Sequence, residues 1–225
     1  MNRLTWILAL VVLPMGVVCL RADEPDAKTL LTERGKLLFQ SDLKEKLGKP
    51  WRVAKGKWQI VDGVLSGCEL KSDKHGAVAR YPLKAKSLIV QYSFQLNGAK
   101  MTTLSINKEK GHLCRVKINA SGITIQKDDQ DGKRGPDKAK VLMKRPVKIS
   151  PGKWHTMVLE LHGSEMLASL DGEQIVFGSH PNIDQPIANI GFTVAGESVL
   201  FKDLRVWTAE PNKSWPETRQ RLSNK

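Results

Sequence analysis

The sequence predicts an all-β protein in which short antiparallel strands form a sandwich or a barrel. Two observations support this fold class. From Trp51 onward, apolar and polar residues alternate with a period of two, which is the pattern of half-buried strands. Nearly every gap between these runs contains Gly, Pro or Asn, and hardly any helical spacing occurs between them.

The first residues, 1–22, are typical of a secretory signal peptide. Arg3 precedes an apolar run from Leu4 to Leu20, and Ala22 supplies a small residue at the cleavage site. Pro14 interrupts the run, which is also shorter than the ~20 residues of a membrane-spanning helix. A retained anchor and a lipid on Cys19 stay open as alternatives. We therefore expect a secreted or periplasmic protein without a membrane span after signal removal.

The mature chain divides into three parts. Residues 23–48 are charged with modest helical spacing, and a short capped helix is predicted from Ser41 to Leu47, ended by Gly48 and Pro50. Residues 49–209 form the β-sandwich domain, which is long enough to bury a core. Residues 210–225 are predicted to be a loose C-terminal tail.

Within the sandwich, Asp62-Gly63 is a strong hairpin signal between two strands. Asp129 to Lys140 is a long polar break and reads as an exposed loop. The predicted strands are Trp58–Val61, Val64–Ser66, Ala77–Tyr81, Ser87–Leu96, Met101–Asn107, Leu113–Asn119, Gly122–Asp128, Trp154–His162, Met166–Leu170, Gln174–Phe177, Asn189–Val194 and Val199–Thr208.

Positive charge is concentrated in the middle of the chain. The formal net charge is +13, and it is +11 without Arg3 and Arg21. Residues 100–153 hold fourteen Lys or Arg against five Asp or Glu, whereas residues 154–225 net −3. This surplus would attract an anionic polysaccharide or lipid, or it is a solvated loop. Nucleic acid is not expected as a partner, because the basic segment lacks interleaved aromatic residues for base stacking.

No cofactor and no metal are expected from the sequence. Asp129-Gln130-Asp131-Gly132 resembles the start of a calcium loop, but position 140 is Lys where the bidentate Glu is required. The five His residues show no zinc-ligand spacing. Cys68 and Cys114 either form one disulfide or are two small buried thiols.

A family resemblance covers residues 38–209. The second half of the chain resembles the closing half of concanavalin A-like lectin/glucanase sandwiches. The residues that carry this resemblance are, in order, Trp154-His155, Gly163, Asp171-Gly172, Ile190-Gly191-Phe192 and 199–207. The opening half, with Trp51, Gly56-Lys57-Trp58, Asp62-Gly63, Leu65 and Gly67, is similar to the 3-keto-disaccharide hydrolase domain of that superfamily. The resemblance implies a jelly-roll sandwich of two antiparallel sheets with a sugar-binding concave face and a hydrolase activity on oxidised glycosides.

The central strands depart from that family pattern. Family members carry carboxylates there and an Asn-Ser-Gly turn followed by Arg, but this chain has no Asp or Glu between Asp73 and Glu109 or from Lys110 to Lys127. Glycoside hydrolysis ordinarily needs two carboxyl groups that flank the bond. Strands 87–107 and 113–127 supply none.

These strands instead alternate apolar residues with amides, hydroxyls and cations. If they are neighbours, they form one polar surface suited to hydroxyl-rich or anionic sugars; the alternative is a solvated sheet face without a ligand. The predicted carbohydrate-binding residues are Gln91, Ser93, Gln95, Ser105, Asn107, Arg115 and Lys117. No catalytic residue is assigned. The remaining acid/base candidates are Glu160, His155, His162, Asp171, Glu197 and Asp203, of which Glu160 and His162 share one strand face.

The sequence therefore predicts an exported, carbohydrate-engaging β-sandwich, and the resemblance adds a glycosidic hydrolase activity. Two alternatives stay open. One is a non-catalytic module for an anionic polysaccharide that uses Arg115, Lys117 and the basic 127–153 segment. The other is a structural envelope protein without a small ligand. The oligomeric state is not predicted.

Overall fold

The structure is a computed structural model, and it describes residues 25–41, 43, 47–132 and 134–224. The all-β prediction is confirmed, since thirteen antiparallel strands pair with one another and one short helix follows them. The strands are β1 (Thr32–Gln40), β2 (Arg52–Lys55), β3 (Lys57–Val61), β4 (Val64–Cys68), β5 (Ala77–Ala85), β6 (Leu88–Asn107), β7 (His112–Asn119), β8 (Gly122–Lys127), β9 (Lys140–Pro146), β10 (His155–His162), β11 (Glu165–Leu170), β12 (Gln174–Ser179) and β13 (Ile187–Pro211); the helix is α1 (Trp215–Ser223).

Two long strands, β6 and β13, connect the two layers of the sandwich. Layer I has the order β12-β11-β10, then residues 88–96 of β6, then residues 198–211 of β13, which also pair with β1 and β4. Layer II has the order β9-β8-β7, then residues 101–107 of β6, then residues 187–195 of β13, then β5 and β2. Each half of β6 therefore belongs to a different layer.

The crossing between layers occurs where both long strands are irregular. Gly98 has φ +80° and Gly196 has φ +96°, a region of backbone conformation that favours glycine. The pairing of β13 with β6 shifts register between Ala195 and Ser198. Bulges of this kind bend a strand and increase its twist. The bend folds one hydrogen-bonded sheet over on itself.

Aromatic side chains from the two layers meet in the core. Phe192 of layer II packs against Tyr92 and Phe201 of layer I, with ring centroids 5.1 Å and 4.7 Å apart. Tyr92 and Phe94 are almost completely buried. In both halves of β6 the even-numbered residues face this core, which fixes the odd-numbered residues on the two outer surfaces.

The N-terminal segment differs from its prediction. The predicted helix from Ser41 to Leu47 falls mostly on residues outside the described part of the chain. The residues before it do not follow helical spacing but form β1, which pairs with the end of β13 from Thr32 opposite Pro211 to Gln40 opposite Arg205. Pairing along an edge strand outweighs the weak local helical pattern.

The prediction of a loose tail after residue 209 is wrong for the described residues. Strand β13 runs on to Pro211, and α1 follows. Trp215 is 7% exposed, contacts Phe177 edge-on with ring centroids 5.7 Å apart, and donates from Nε1 to Glu165 Oε2 at 3.1 Å. One large aromatic side chain thereby docks the helix on layer I.

Every predicted strand exists, and four of the predicted strands are joined in pairs as the long strands β6 and β13. Strands β1, β2 and β9 were not predicted. The hairpin at Asp62-Gly63 has φ +51° and +72°, the positive angles of a type I′ turn. Cys68 and Cys114 are both free thiols. Among the described residues, no helix is long and apolar enough to cross a membrane.

Candidate functional site

The seven predicted sugar-binding residues do not share one surface. Gln91, Ser93 and Gln95 lie on the outer face of layer I, and the remaining four lie on the outer face of layer II. The prediction of a single polar surface is therefore wrong. The physical reason is that β6 passes from one layer to the other between its two polar stretches.

Residues 25–31, which we call the N-terminal strap, lie across the outer face of layer I at Gln91 and Glu160. Gln91 is 1% exposed; its Oε1 accepts from the Ala27 amide at 2.9 Å, and its Nε2 donates to the Pro25 carbonyl at 3.3 Å. Arg34 also donates to Gln91 Oε1 at 3.0 Å. The polar groups of Gln91 are thus used by the protein itself.

Glu160 is held beneath the same strap and has no exposed surface. Its carboxylate accepts from Leu30 N at 2.9 Å, from Thr32 N at 2.7 Å and from Thr32 Oγ1 at 2.8 Å. Burial raises the pKa of Glu160, and these hydrogen bonds oppose that rise. The carboxylate is an anchor for the strap and is not accessible to a ligand.

The other predicted sugar-binding residues of layer I, Ser93 and Gln95, also make contacts within the protein. Ser93 is 2% exposed and lies 3.5 Å from Thr156 Oγ1, and Gln95 donates to the Gly152 carbonyl. His162 is half-buried opposite Glu165, and in the described part of the chain it makes no hydrogen bond to Glu160. The geometry does not join Glu160 and His162 into a proton-transfer pair.

The outer face of layer II carries polar residues in rows that cross the strands, and we call it the polar face. The central row consists of directly paired residues of six strands, and the rows on either side continue the pattern. The central row is Arg52, Arg80, Gly191, Ser105, Arg115 and Gln126; one flanking row is Pro82, Asn189, Asn107 and His112; the other is Val78, Thr193, Thr103, Lys117, Thr124 and Lys144.

A buried hydrogen-bond network forms the floor of the polar face. Ser105 Oγ donates to the Gly191 carbonyl at 3.1 Å, and Asn107 Nδ2 donates to Ser105 Oγ at 3.3 Å and to Asn189 Oδ1 at 2.7 Å. Ser105 and Asn107 are 5% and 3% exposed. Every donor proton of these two side chains is used within the protein, so they position their neighbours.

Asn107 fixes the tautomer of His112. Because both amide protons of Asn107 are donated elsewhere, its Oδ1 accepts, and His112 Nδ1 is the donor. His112 Nε2 is then an acceptor. Burial lowers the pKa of His112, Arg115 and Arg80 lower it further, and Asp128 opposes them. His112 is therefore neutral near pH 7.

A cleft of about 490 Å³ opens at the end of the polar face that carries His112. Arg52, Arg80, Asn107, His112 and Asn189 line it, together with the turn that contains Glu109. Gly191 lies beside it, where a Cβ atom would come within 3.0 Å of Ser105 Oγ and 3.3 Å of Arg80 Cγ. Asn189 Nδ2 and His112 Nε2 are the open amide donor and imidazole acceptor of this cleft.

Arg115 and Lys117 lie on the polar face as predicted, but their environments differ. Arg115 Nε lies 2.7 Å from one oxygen of Asp128 and 2.8 Å from the other, and Gln126 also donates to that carboxylate. Lys117 has no ion pair within the described residues, and burial together with Arg115 lowers its pKa. Arg115 is thus neutralised, whereas Lys117 is available.

Four cleft residues were missed by the sequence analysis: Arg52, Arg80, His112 and Asn189. The signal for Arg80 was present, since it is the polar residue of an otherwise apolar strand, Ala77–Tyr81. Its position became clear only from the pairing of β5 with β13. Arg52 lies on β2, which the sequence analysis did not identify.

The predicted basic segment 127–153 does not contribute one continuous ligand surface. Lys127 is 1% exposed and binds Asp137 and the Lys138 carbonyl, which tethers the loop that follows β8. That bond from Lys127 is the main cause of the lowered pKa of Asp137. Strand β9 is the exposed edge of layer II, where lysines oppose pairing with another chain.

The same loop brings three carboxylates together. Oxygens of Asp129, Asp131 and Asp137 lie within 4.8 Å of one another. Most of them already accept protein hydrogen bonds, from Gly132 N to Asp129, from Asp137 N to Asp131, and from Gln130 N to Asp137. The cluster is accounted for as loop structure.

Comparison with known proteins identifies the fold. No protein-family model matches the chain, and no curated protein matches its sequence. Among solved structures, it is similar to the carbohydrate binding module CBM66 from Bacillus subtilis (13% identity, 70% of this chain and 95% of that chain, TM-score 0.58). A Bacillus subtilis protein of unknown function with a galectin-like fold matches with 15% identity over 80% of this chain and 100% of that chain, with a TM-score of 0.58.

A third structure is a LamA variant from Z. galactanivorans in complex with laminaritriose and laminaritetraose (13% identity, 78% of this chain and 100% of that chain, TM-score 0.55). At these identities the likeness concerns the fold. The chain has the jelly-roll architecture of galectin-like and concanavalin A-like β-sandwiches, as the sequence predicted. Membership of the 3-keto-disaccharide hydrolase family stays a prediction.

Proposed function

We propose that this protein is an exported carbohydrate-binding β-sandwich whose ligand lies in the cleft of the polar face. The observation that carries the proposal is the cleft itself: Asn189 Nδ2 and His112 Nε2 are open, and a buried Ser105–Asn107 network holds both side chains in place. An amide donor and a neutral imidazole acceptor on a rigid sheet suit the paired donor and acceptor character of sugar hydroxyls.

The contrast between the two outer faces supports this placement. On layer I, the strap and the neighbouring backbone occupy the groups of Gln91, Gln95 and Glu160. On layer II, the described residues leave the cleft uncovered. Solved structures with this fold include a protein named as a carbohydrate binding module and one in complex with laminari-oligosaccharides. Export rests on the leader-like residues 1–22.

A glycan array tests the proposal. Wild-type protein is expected to give defined glycan signals, and Asn189→Leu is expected to lose them because it removes the open amide and fills the cleft. Gln59→Ala, on exposed strand β3 of layer I, is the matched control and should bind as the wild type does. Absence of signal for the wild type, or equal binding by Asn189→Leu, would refute the placement.

A second candidate is cleavage of oxidised glycosides, which the family resemblance implies. The observation that favours it is that neutral His112 and Glu109 line the same cleft, so one base and one carboxyl group face the same space. Turnover of a 3-keto-glycoside that disappears in His112→Gln while binding persists would support it. Binding without turnover in the wild type would leave a binding module.

A further inference from the structure

The cleft contains two arginines that face each other directly. Arg52 of β2 and Arg80 of β5 are register partners in an antiparallel pair, so they project from the same face. Directly opposed residues have Cβ atoms about 5 Å apart, and like charges in that position oppose folding. An anion bound between the two guanidinium groups would relieve this repulsion.

The described part of the protein does not supply that anion. Neither Arg52 nor Arg80 makes a hydrogen bond or an ion pair there, although Arg34, Arg115, Arg205 and Arg219 are each paired with a carboxylate. Glu109 lines the same cleft without pairing with either arginine. The formal charge of the lining, with Arg52, Arg80 and Lys108 against Glu109 and with His112 neutral, is +2.

A ligand in the cleft can reach both guanidinium groups. Arg52 is exposed and Arg80 is half-buried, and the cleft they share with Asn189 has room for a sugar residue. Guanidinium groups bind carboxylate and sulfate oxygens in pairs of parallel hydrogen bonds. Arg115, which the sequence suggested for this role, instead forms an ion pair with Asp128.

We infer that Arg52 and Arg80 form a subsite for an anionic sugar substituent, either a uronate carboxylate or a sulfate ester. The inference rests on the proposed glycan-binding function and specifies its ligand class. The substituent would lie between the two guanidinium groups, while Asn189 and His112 bind the hydroxyls of the same or the adjoining sugar.

Titration with two matched ligand pairs tests the subsite. The first pair is polygalacturonate and its methyl ester, and the second is dextran sulfate and dextran. Each is measured at low and at high salt with the wild type, with Arg52→Gln/Arg80→Gln, and with Lys36→Gln/Lys57→Gln. The last variant removes the same formal charge from two exposed lysines of layer I.

The wild type is expected to bind at least one anionic polymer about ten-fold or more tightly than its neutral counterpart, as two charge-assisted contacts imply. The arginine variant should lose this preference, with an unchanged or higher melting temperature. The lysine variant should retain the preference. The pair that shows the preference identifies the substituent as carboxylate or sulfate.

Three results would overturn the inference. If charged and neutral polymers bind the wild type equally, glycan binding stands and the anion subsite fails. If the lysine variant loses the preference as the arginine variant does, the effect comes from net charge and not from this site. If no polymer binds the wild type although the glycan array gives signals, the subsite fails and the proposed function stands. If the array is silent as well, both fail.

Discussion

The substitution Thr32→Val is predicted to loosen the N-terminal strap in a pH-dependent way. Thr32 is fully buried, and valine keeps its shape while removing the hydroxyl that donates to Glu160 at 2.8 Å. A hydrogen bond to a charged group contributes about 1.5–3 kcal/mol. We expect the free energy of unfolding to fall by about 2 kcal/mol where Glu160 is ionised, which is about 4–8 °C in melting temperature for a domain of this size.

The sign of the pH dependence follows from the pKa of Glu160. Burial raises that pKa in the folded protein, so ionised Glu160 is costly and the Thr32 hydrogen bond offsets part of the cost. As the pH falls through the folded pKa, Glu160 becomes neutral, and the missing bond then costs only about 1 kcal/mol, the value for neutral partners. The stability difference between wild type and variant should shrink in acid.

Urea unfolding at mildly alkaline and mildly acid pH measures this difference. Thr124→Val, a half-buried threonine without a hydrogen bond to a carboxylate, is the control and should change stability by less than about 0.5 kcal/mol. Protease sensitivity of residues 25–31 should rise in Thr32→Val alone. An equal loss at both pH values, or no loss at either, would show that the Thr32–Glu160 bond does not hold the strap.

Three further predictions concern the polar face and the C-terminal helix. Gly191→Ala places a Cβ 3.0 Å from Ser105 Oγ, so we expect several-fold weaker glycan binding by titration at a stability cost of about 1 kcal/mol; unchanged affinity would contradict the role of the floor network. The lowered pKa of His112 means that the unfolded chain binds a proton more readily, so wild-type stability should fall as the pH drops below about 6.5, and His112→Gln should lose that part of the pH dependence in urea titrations. Trp215→Ala should cost about 3 kcal/mol in unfolding free energy and expose α1 to protease, unless the helix is held by contacts other than the Trp215 side chain.

Local sequence signals predicted the strands and turns of the sandwich core well. Asp62-Gly63 and Asp171-Gly172 both have the paired positive φ angles of type I′ turns, because aspartate tolerates that region and glycine has no Cβ to oppose it. The predicted loop lies between the end of β8 at Lys127 and the start of β9 at Lys140. These features depend only on residues that are neighbours in the sequence, so the sequence alone predicts them.

The edge strands β1, β2 and β9 escaped prediction for a physical reason. Edge strands bury little and carry charges that prevent pairing with other chains, so their alternation is weak. The helix α1 escaped because its docking depends on Trp215 reaching Glu165, which lies fifty residues away along the chain. Both the edge strands and the helix depend on contacts with residues distant in the sequence. The spacing of apolar residues does not predict such contacts.

The single polar surface was mispredicted because the alternation of inward and outward side chains along β6 does not change at its bend. Even-numbered residues face the core on both sides of the bend near Gly98, so the period of two continues from Leu88 to Asn107 as if one face were involved. Side-chain alternation distinguishes inside from outside but not one outer face from the other. Only the pairing of β6 with β10 and with β7 separates Gln91 from Ser105.

That separation is the basis on which we propose the ligand site on layer II. On layer I, the Glu160 carboxylate accepts from the Leu30 amide of the strap and from the amide and hydroxyl of Thr32. A sugar could bind this carboxylate only by displacing those hydrogen bonds. On layer II, the buried amide and hydroxyl groups form hydrogen bonds with one another and with the backbone. The His112 imidazole, the Asn189 amide and the guanidinium groups of Arg52 and Arg80 line the cleft. A face whose interior groups are satisfied and whose outer groups are open can bind a partner without breaking an internal hydrogen bond, and in this protein that condition is met around Asn189 and Arg80.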